Sequence, residues 1–550
     1  LEFHDPSSRN TPDRTDTRAI PSPGTTWYTI GGKIPKRTAM KIPLLFPVFL
    51  LFAFALPALS DPGGAPSARE ITMKWCVEAA LRGNIDVAVS RADRESAMQG
   101  VPLEEAAFLP KFTGDVSFSR SVGPTGSSIA GTLTVDQNTW NFDAGVSELL
   151  RSGTALSLSF QNQRLEAETA LSLFNPEYTT SLTLSARHPL LKRSGRKVTE
   201  APLTIARAGT EAATGEWLAK VMDTVAAART SFLAFYAVSR QVEVKRTALS
   251  LAERLFDETS ARIDAGLAAP MDRLPAEAAV ASRKEELLRA EASARNAEDD
   301  LKNLLGLRSD ADWEERLVPV PPAEIPDPPG EDDSYPEALK RRPEVSALSA
   351  RTHQAEIQEM VARSGTMPDL SLTASAGLTG LAGTPYPNPF FQVEGTEFEG
   401  NYGDSLRQMF SGNYTNWFVG LSTEIPWKFQ RERAEWARAR SALAQQRLRE
   451  ESLNARIRAE VRKARRDLDS SLARVDAAAA SVAAARGKLE AEERKFALGA
   501  STTTQVLEFQ QDYADALLAE LTAKKDAFLA QTRLWRAVGT ILEKEGLSAR

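Results

Sequence analysis

The stretch Ala80-Leu81-Arg82-Gly83-Asn84-Ile85-Asp86-Val87 returns 258 residues later as Ala338-Leu339-Lys340-Arg341-Arg342-Pro343-Glu344-Val345. Pro110, where apolar residues begin to alternate, has Pro368 at that same offset. Further on, His188-Pro189-Leu190 answers to Ile425-Pro426-Trp427, and Gly266 to Gly499, with offsets of 237 and 233. A period of this size is too long for a solenoid unit, so the chain is an internal two-fold repeat. Most of the lost offset falls between the paired prolines. Pro110 to Pro189 is 79 residues and Pro368 to Pro426 is 58, so the first half carries a longer loop or an extra hairpin.

Each half shows the same order of textures. Residues 70–107 and 337–364 have helical spacing. Strands are expected over 110–189 and 369–426, where Phe112, Val116 and Phe118, then Leu156, Leu158 and Phe160, alternate with polar residues. Helical period then resumes over 198–305 and 428–545. Trp217, Val221, Val225, Ala228, Phe232, Phe235, Val242 and Leu249 mostly step by three, four or seven, the seam of a coiled coil. Helices of about 70 residues reach roughly 100 Å and cannot wrap a globular core, so they must pack side by side. Between the halves, residues 308–336 hold seven prolines from Pro319 to Pro336 and read as an extended linker.

The start of the chain reads as an address. Ile42 to Leu59 is free of charge, Lys41 precedes it, and Ala58 and Ser60 stand at the −3 and −1 positions of a cut before Asp61. Residues 40–60 are therefore expected to be a signal peptide, with Pro43, Pro47 and Pro57 arguing against a spanning helix. Residues 1–39 are polar and patternless and read as an upstream leader; no cysteine follows the cut to take a lipid. The two repeats would then occupy 61–307 and 337–550.

Composition narrows the function. The chain has 550 residues, 67 basic and 73 acidic, with a net charge of −6 that gives no general pull toward nucleic acid. Mean hydropathy is −0.30, which excludes a bundle of membrane helices. The single cysteine, Cys76, and three scattered histidines leave no disulfide framework and no metal or catalytic constellation. Acidic pairs such as Glu104-Glu105 and Asp299-Asp300 have no histidine, nucleophile or glycine loop beside them, so no catalytic, cofactor-binding or metal residue is expected. The basic run Arg456–Arg466 reads as a solvated or intersubunit helix face.

An exported chain with no second apolar run can enter a membrane only as a closed β-barrel. Asp369–Leu378 and Trp417–Ile425 have the length of membrane strands. In the first, Leu370 and Leu372 would face lipid and Ser371 and Thr373 water, while Trp417 and Trp427 fall where an aromatic girdle would sit. Four or so strands leave open edges, so several chains must share one barrel. The competing reading is a periplasmic coiled-coil scaffold with a soluble β domain.

These segments together resemble the outer membrane efflux protein family, the TolC-like exit ducts. The resemblance rests on the paired openings EAALRGNIDV and EALKRRPEV, the leads FLPKFTGDVSFS and TMPDLSLTAS, and the exit RHPLLKRSGRKVTEAPLTIARA. The two hairpin tips, ARIDAGLAAPMDRL and KFALGASTTTQVLEF, complete it. It implies a homotrimer with a twelve-stranded barrel, four strands per chain, continued by a helical tunnel. It also implies a periplasmic adaptor, an inner-membrane pump or ABC exporter as partners, and a place in the outer membrane reaching into the periplasm. In such ducts the tips close the tunnel, and acidic side chains there form a ring at its narrowest point. Counted from Gly266, Asp272 keeps the family's aspartate; counted from Gly499, two aspartate positions hold Gln505 and Glu508, so an inner ring would carry three carboxylates. Such a ring would favour cations and could bind a divalent metal. Phe496 and Ser501 stand where some members have the tyrosine and arginine of a closing lock.

Overall fold

The computed structural model describes residues 68–126, 133–167, 169, 172–322, 334–387 and 393–547. The expected leader and signal peptide, with Ala58 and Ser60, lie outside the described residues. The description below concerns the compact unit Ala65–Arg550.

The chain opens with β1 (Ala68–Ile71), α1 (Met73–Gly83) and α2 (Ile85–Glu105). Four strands follow, β2 (Lys111–Pro124), β3 (Thr134–Leu149), β4 (Ala155–Ala167) and β5 (Phe174–Pro189). A turn of helix, α3 (Arg196–Thr199), leads into α4 (Ala201–Asp264) and its returning partner α5 (Arg273–Leu305). After α6 (Asp310–Glu314) and β6 (Arg316–Pro319) come α7 (Ser334–Arg341) and α8 (Pro343–Gly365). The second half continues with β7 (Asp369–Pro385), α9 (Tyr402–Ser411), β8 (Thr415–Glu424), α10 (Gln430–Ala497), α11 (Thr503–Val538) and α12 (Ile541–Lys544).

At 1.5 Å per residue, the 64 residues of α4 reach about 96 Å and the 68 of α10 about 102 Å. Both halves of each are used. Near its start α4 packs on α2, with Lys220 Nζ 2.7 Å from Asp86; further along it packs on α5, with Lys245 Nζ 2.8 Å from Glu286. α10 likewise packs first on α8, through Trp436 Nε1 and Glu359 at 2.6 Å, and then on α11. With α4 also touching α8 and α11, four helices stand abreast at either level: α2, α4, α8, α10, then α5, α4, α11, α10.

Positions that correspond in sequence between the two halves have similar surroundings. Ala80 is fully buried in a core with Val225, Phe232, Leu301 and Ile541, and its counterpart Ala338 is fully buried in a second core with Ile457, Leu468 and Leu534. Gly306 ends α5 at φ +72°, and a Cβ there would lie 2.1 Å from the Gly83 carbonyl oxygen. Gly539 ends α11 at φ +84° against Arg341, the position that corresponds to Gly83. In both halves a left-handed glycine lets the returning helix seat on the opening helix. Asn84 locks the first seat: its Oδ1 accepts from Val87 N as the α2 N-cap, and its Nδ2 donates to Leu304 O at 3.0 Å.

The sheet corrects the expected strand count. Among the described residues six strands, not four, pair antiparallel in the order β2-β3-β4-β5-β7-β8; the first half supplies four of them and the second half two. Part of the expected linker is also structured. β6 pairs in parallel with β1, Leu317 is buried, and only 323–333 of that stretch lies outside the described residues. Among the described residues no helix is long and apolar enough to cross a membrane.

Candidate functional site

Two regions carry the chemistry of this fold: the face of the sheet and the tips of the long helices. On the sheet, register places partners in adjacent strands on one face. One row runs Phe112, Val146, Leu158, Leu184, Ala376, Trp417 across all six strands. The row beside it, on the opposite face, runs Lys111, Ser147, Ser157, Ser185, Ser375, Phe418, and Ser157 and Ser185 share a hydrogen bond of 2.7 Å. Period-two alternation in each strand thus adds up to one apolar and one largely polar face.

The apolar face is open. Phe112 is 81% exposed, Leu184 53% and Trp417 79%, and Val116, Val419 and Leu421 are exposed with them. Leu372 pairs with Leu421 and Leu370 with Thr423, so the residues expected to face lipid share this face with Trp417. Trp427, just past β8, is 91% exposed. Contiguous apolar area of this kind, left bare, marks a surface meant for a non-aqueous neighbour. At the far end of the sheet α9 covers the same face. Thr180 Oγ1 lies 2.8 Å from Ser405 Oγ, and Gly380 admits the helix because a Cβ there would meet the Ser405 carbonyl at 2.0 Å.

At the tips, α4 ends at Gly266 (φ +72°) and α10 at Gly499 (φ +78°), both left-handed turns open to solvent. Phe496 is buried between Leu255 of α4 and Val506 of α11. Arg262, in the last turn of α4, donates from Nη1 to the Phe496 carbonyl at 2.6 Å, and its guanidinium carbon lies 4.6 Å from the centre of the Phe496 ring. Ser501 Oγ donates to Glu492 Oε1 at 2.6 Å, and Lys495 Nζ pairs with the other oxygen at 2.9 Å. The Ser501 hydroxyl, then Lys495, holds the Glu492 carboxyl below its ordinary range. Its neighbour Glu493 is shifted the other way by burial, against the pull of Arg254 and reinforced by Glu258 and Glu490.

The structure therefore brings Phe496, Ser501 and Gln505 together and gives two of them local tasks. Gln505 Oε1 accepts from Thr502 N at 3.3 Å while Thr502 Oγ1 accepts from Gln505 N, a reciprocal cap at the start of α11. Asp272 Oδ2 accepts from Ala269 N at 3.1 Å, capping the turn into α5. Glu508, three residues beyond Gln505, stands exposed on α11. Sequence reasoning missed Arg262 and Glu492. A basic side chain four residues before a helix-ending glycine was the available signal for Arg262.

The remaining candidates are structural. Cys76 is fully buried, and burial pushes its thiol up to about 12. In the basic run, Arg458 stacks over Tyr335 at 4.6 Å and Arg465 pairs with Asp469 at 3.2 Å. Among the described residues no group of acidic, histidine or cysteine side chains is arranged to hold a metal ion.

Comparison with known proteins agrees with this architecture. The curated relative BepC, an outer membrane efflux protein of Brucella suis biovar 1 (strain 1330), is 26% identical over 284 residues, 51% of this chain and 55% of the relative. The chain thus spans about half the length of that curated relative. The CmeC outer membrane channel of Campylobacter jejuni superposes with a TM-score of 0.61 at 16% identity, covering 90% of this chain and 94% of CmeC. The open state of the MtrE outer membrane channel of Neisseria gonorrhoeae gives a TM-score of 0.58 at 17% identity, covering 86% and 89%. At these identities the two structures speak to the fold. The family model for outer membrane efflux proteins matches residues 154–307 and 334–540, most of the described chain. With its duplicated plan, its exposed apolar sheet face and its helices of about 100 Å, the chain belongs to the outer membrane efflux protein family, whose place is the outer membrane, reaching into the periplasm.

Proposed function

We propose that three copies of this chain close their sheets into one barrel through the outer membrane, and that their helices continue it as a tunnel through the periplasm. The assembly is a passive exit duct for a tripartite efflux pump or a type I secretion system. It meets a periplasmic adaptor, and through it an inner-membrane pump or ABC exporter, and its work is geometric rather than catalytic. The observation that carries this reading is the apolar row from Phe112 to Trp417, which crosses an open sheet and stays exposed in a single copy. Lipid would cover that face, and neighbouring copies would cover the two edges. The periplasmic end is gated at the tip where Arg262 holds Phe496 beside Gly499 and Ser501 holds Glu492. Widening the tunnel requires α4 to move against α10 and α11 there. A soluble scaffold would leave the apolar face bare to water and has no observation in its favour.

The test is extraction. Expressed from its own signal sequence, the protein is expected in outer membranes as a trimer that survives detergent. A soluble periplasmic monomer would overturn the proposal.

A further inference from the structure

The six-stranded sheet has two free edges. Among the described residues β2 and β8 each pair on one side only, and side chains along both are exposed on both faces. Because six is even and every pairing is antiparallel, the two edge strands run in opposite directions. Hence β8 of one copy can join β2 of the next in the same antiparallel sense, with no reversal of either chain. The apolar row ends on exposed side chains at both edges, Phe112 and Trp417, so joining the edges continues the apolar face rather than interrupting it.

We infer that the partner of each edge is a second copy of this chain, and that three copies close as an 18-stranded barrel rather than the twelve-stranded one the family resemblance implies. This rests on the reading of the chain as a shared-barrel duct and deepens it. The hairpin β2–β3 lies before the first residue matched by the family model, and its strand β3 pairs in a single register with β4 from Gln137 to Leu149. It is therefore part of the wall. Widths agree with that count. Three copies set twelve helices abreast, and at ~9 Å between axes the tunnel circumference is about 110 Å. Eighteen strands spaced ~4.8 Å and tilted ~40° also make about 110 Å, whereas twelve make about 75 Å. The exit through the membrane would then be about one and a half times as wide as a twelve-stranded barrel of the same tilt, since diameter grows with strand number.

The full chain, purified from outer membranes and placed in lipid nanodiscs, should be imaged by electron cryomicroscopy and its strands counted. Eighteen strands are expected; a trimer with twelve, and the hairpin displaced from the wall, would overturn the inference and leave the duct intact. A soluble monomer would overturn both. Disulfide trapping gives an independent readout in a Cys76→Ala background. Val419→Cys, combined in turn with Gly114→Cys, Val116→Cys and Phe118→Cys, which share its face of the sheet, should yield covalent dimers and trimers for at least one pairing. Trapping of Val419→Cys with Leu158→Cys on β4 instead would show that β2–β3 is not the edge, and would count against the 18-stranded wall.

Discussion

Arg262 and Phe496 join the two halves of the repeat at the tips: the guanidinium donates to the carbonyl that ends α10 at 2.6 Å and lies 4.6 Å from the ring centre of the same residue. The contact combines a charged hydrogen bond, a cation at a helix C-terminus and a cation–π interaction. Together these contribute roughly 2 kcal/mol at a partly exposed site. In the three-copy duct proposed above, Arg262→Ala is therefore expected to loosen each tip while leaving the assembly intact. Single-channel recordings should show a larger or more often open conductance, and Arg262→Lys should fall between the two because an ammonium cannot keep both contacts. An Arg262→Ala trimer with wild-type conductance would refute a role in closure.

The tip carboxylates predict opposite responses to pH. Glu492 is held below its ordinary value by the Ser501 hydroxyl and Lys495. Its contribution to stability is present above the unfolded value near 4.5 and is lost as pH falls through the lowered folded one. Glu493 is raised by burial, so it favours the folded tip at low pH and loses that contribution as pH rises through its elevated value. Glu492→Gln should therefore destabilise the tip at neutral pH and have little effect near pH 3. Glu493→Gln should stabilise it at neutral pH only. Hydrogen exchange of amides in 490–510 at both pH values checks this, and identical responses of the two variants would contradict it.

How much of this was legible beforehand follows from the physics of each element. The long helices are legible because the seam through Val225, Phe232 and Phe235 must stay in step over many turns to be buried, and all three are buried. The strands of the second half are legible for the same reason at period two. The two further strands of the first half are half legible: the longer spacing from Pro110 to Pro189 signals extra chain, and Trp140 and Phe142 alternate with Asn141 and Asp143. A spacing cannot say whether extra chain forms wall or loop, however, because that depends on the pairing of β3 with β4. The tip was located by its glycines, but its partners were not. Arg262 and Phe496 are 234 residues apart, and no local pattern relates them.

Arg229 ties the middle of α4 to the C-terminal segment. It pairs with Glu545, donates to Thr532 Oγ1 at 3.0 Å and lies 4.5 Å from the ring centre of Trp535. Both members of the ion pair are buried, with side chains 5% and 9% exposed. Removing one charge leaves the other desolvated and unpaired, at a cost of about 3–5 kcal/mol. Arg229→Met should lower the melting temperature markedly, and adding Glu545→Leu should recover more than half of the loss. A double variant no better than Arg229→Met would show that packing, not the orphaned charge, carries the effect.

The paired helix seats should differ in sensitivity. At Gly306 an alanine meets both a left-handed φ of +72° and the Gly83 carbonyl 2.1 Å from its Cβ. The left-handed backbone alone costs about 1–2 kcal/mol, and the clash with backbone adds to it. At Gly539 the φ is similar, +84°, but the nearest Arg341 atoms lie 3.1 Å away, a contact that small shifts relieve. Gly306→Ala is expected to destabilise the protein clearly more than Gly539→Ala in thermal unfolding. The reverse order would mean that the two seats are not held by the same device.

Glu508 is the position where the duct reading makes its sharpest electrical claim. It stands exposed on α11, three residues beyond Gln505. In a trimer three such carboxylates would surround one axis. Like charges lining a constriction attract cations, and they do so most strongly at low ionic strength. Reconstituted Glu508→Ala trimers should lose cation preference in reversal-potential measurements, and any block by millimolar divalent cations should weaken several-fold. Glu508→Gln should behave like the alanine variant, because it keeps the size and removes the charge. If Glu508→Gln retained the wild-type selectivity, the carboxylate would be an ordinary solvated helix residue and the ring would not exist.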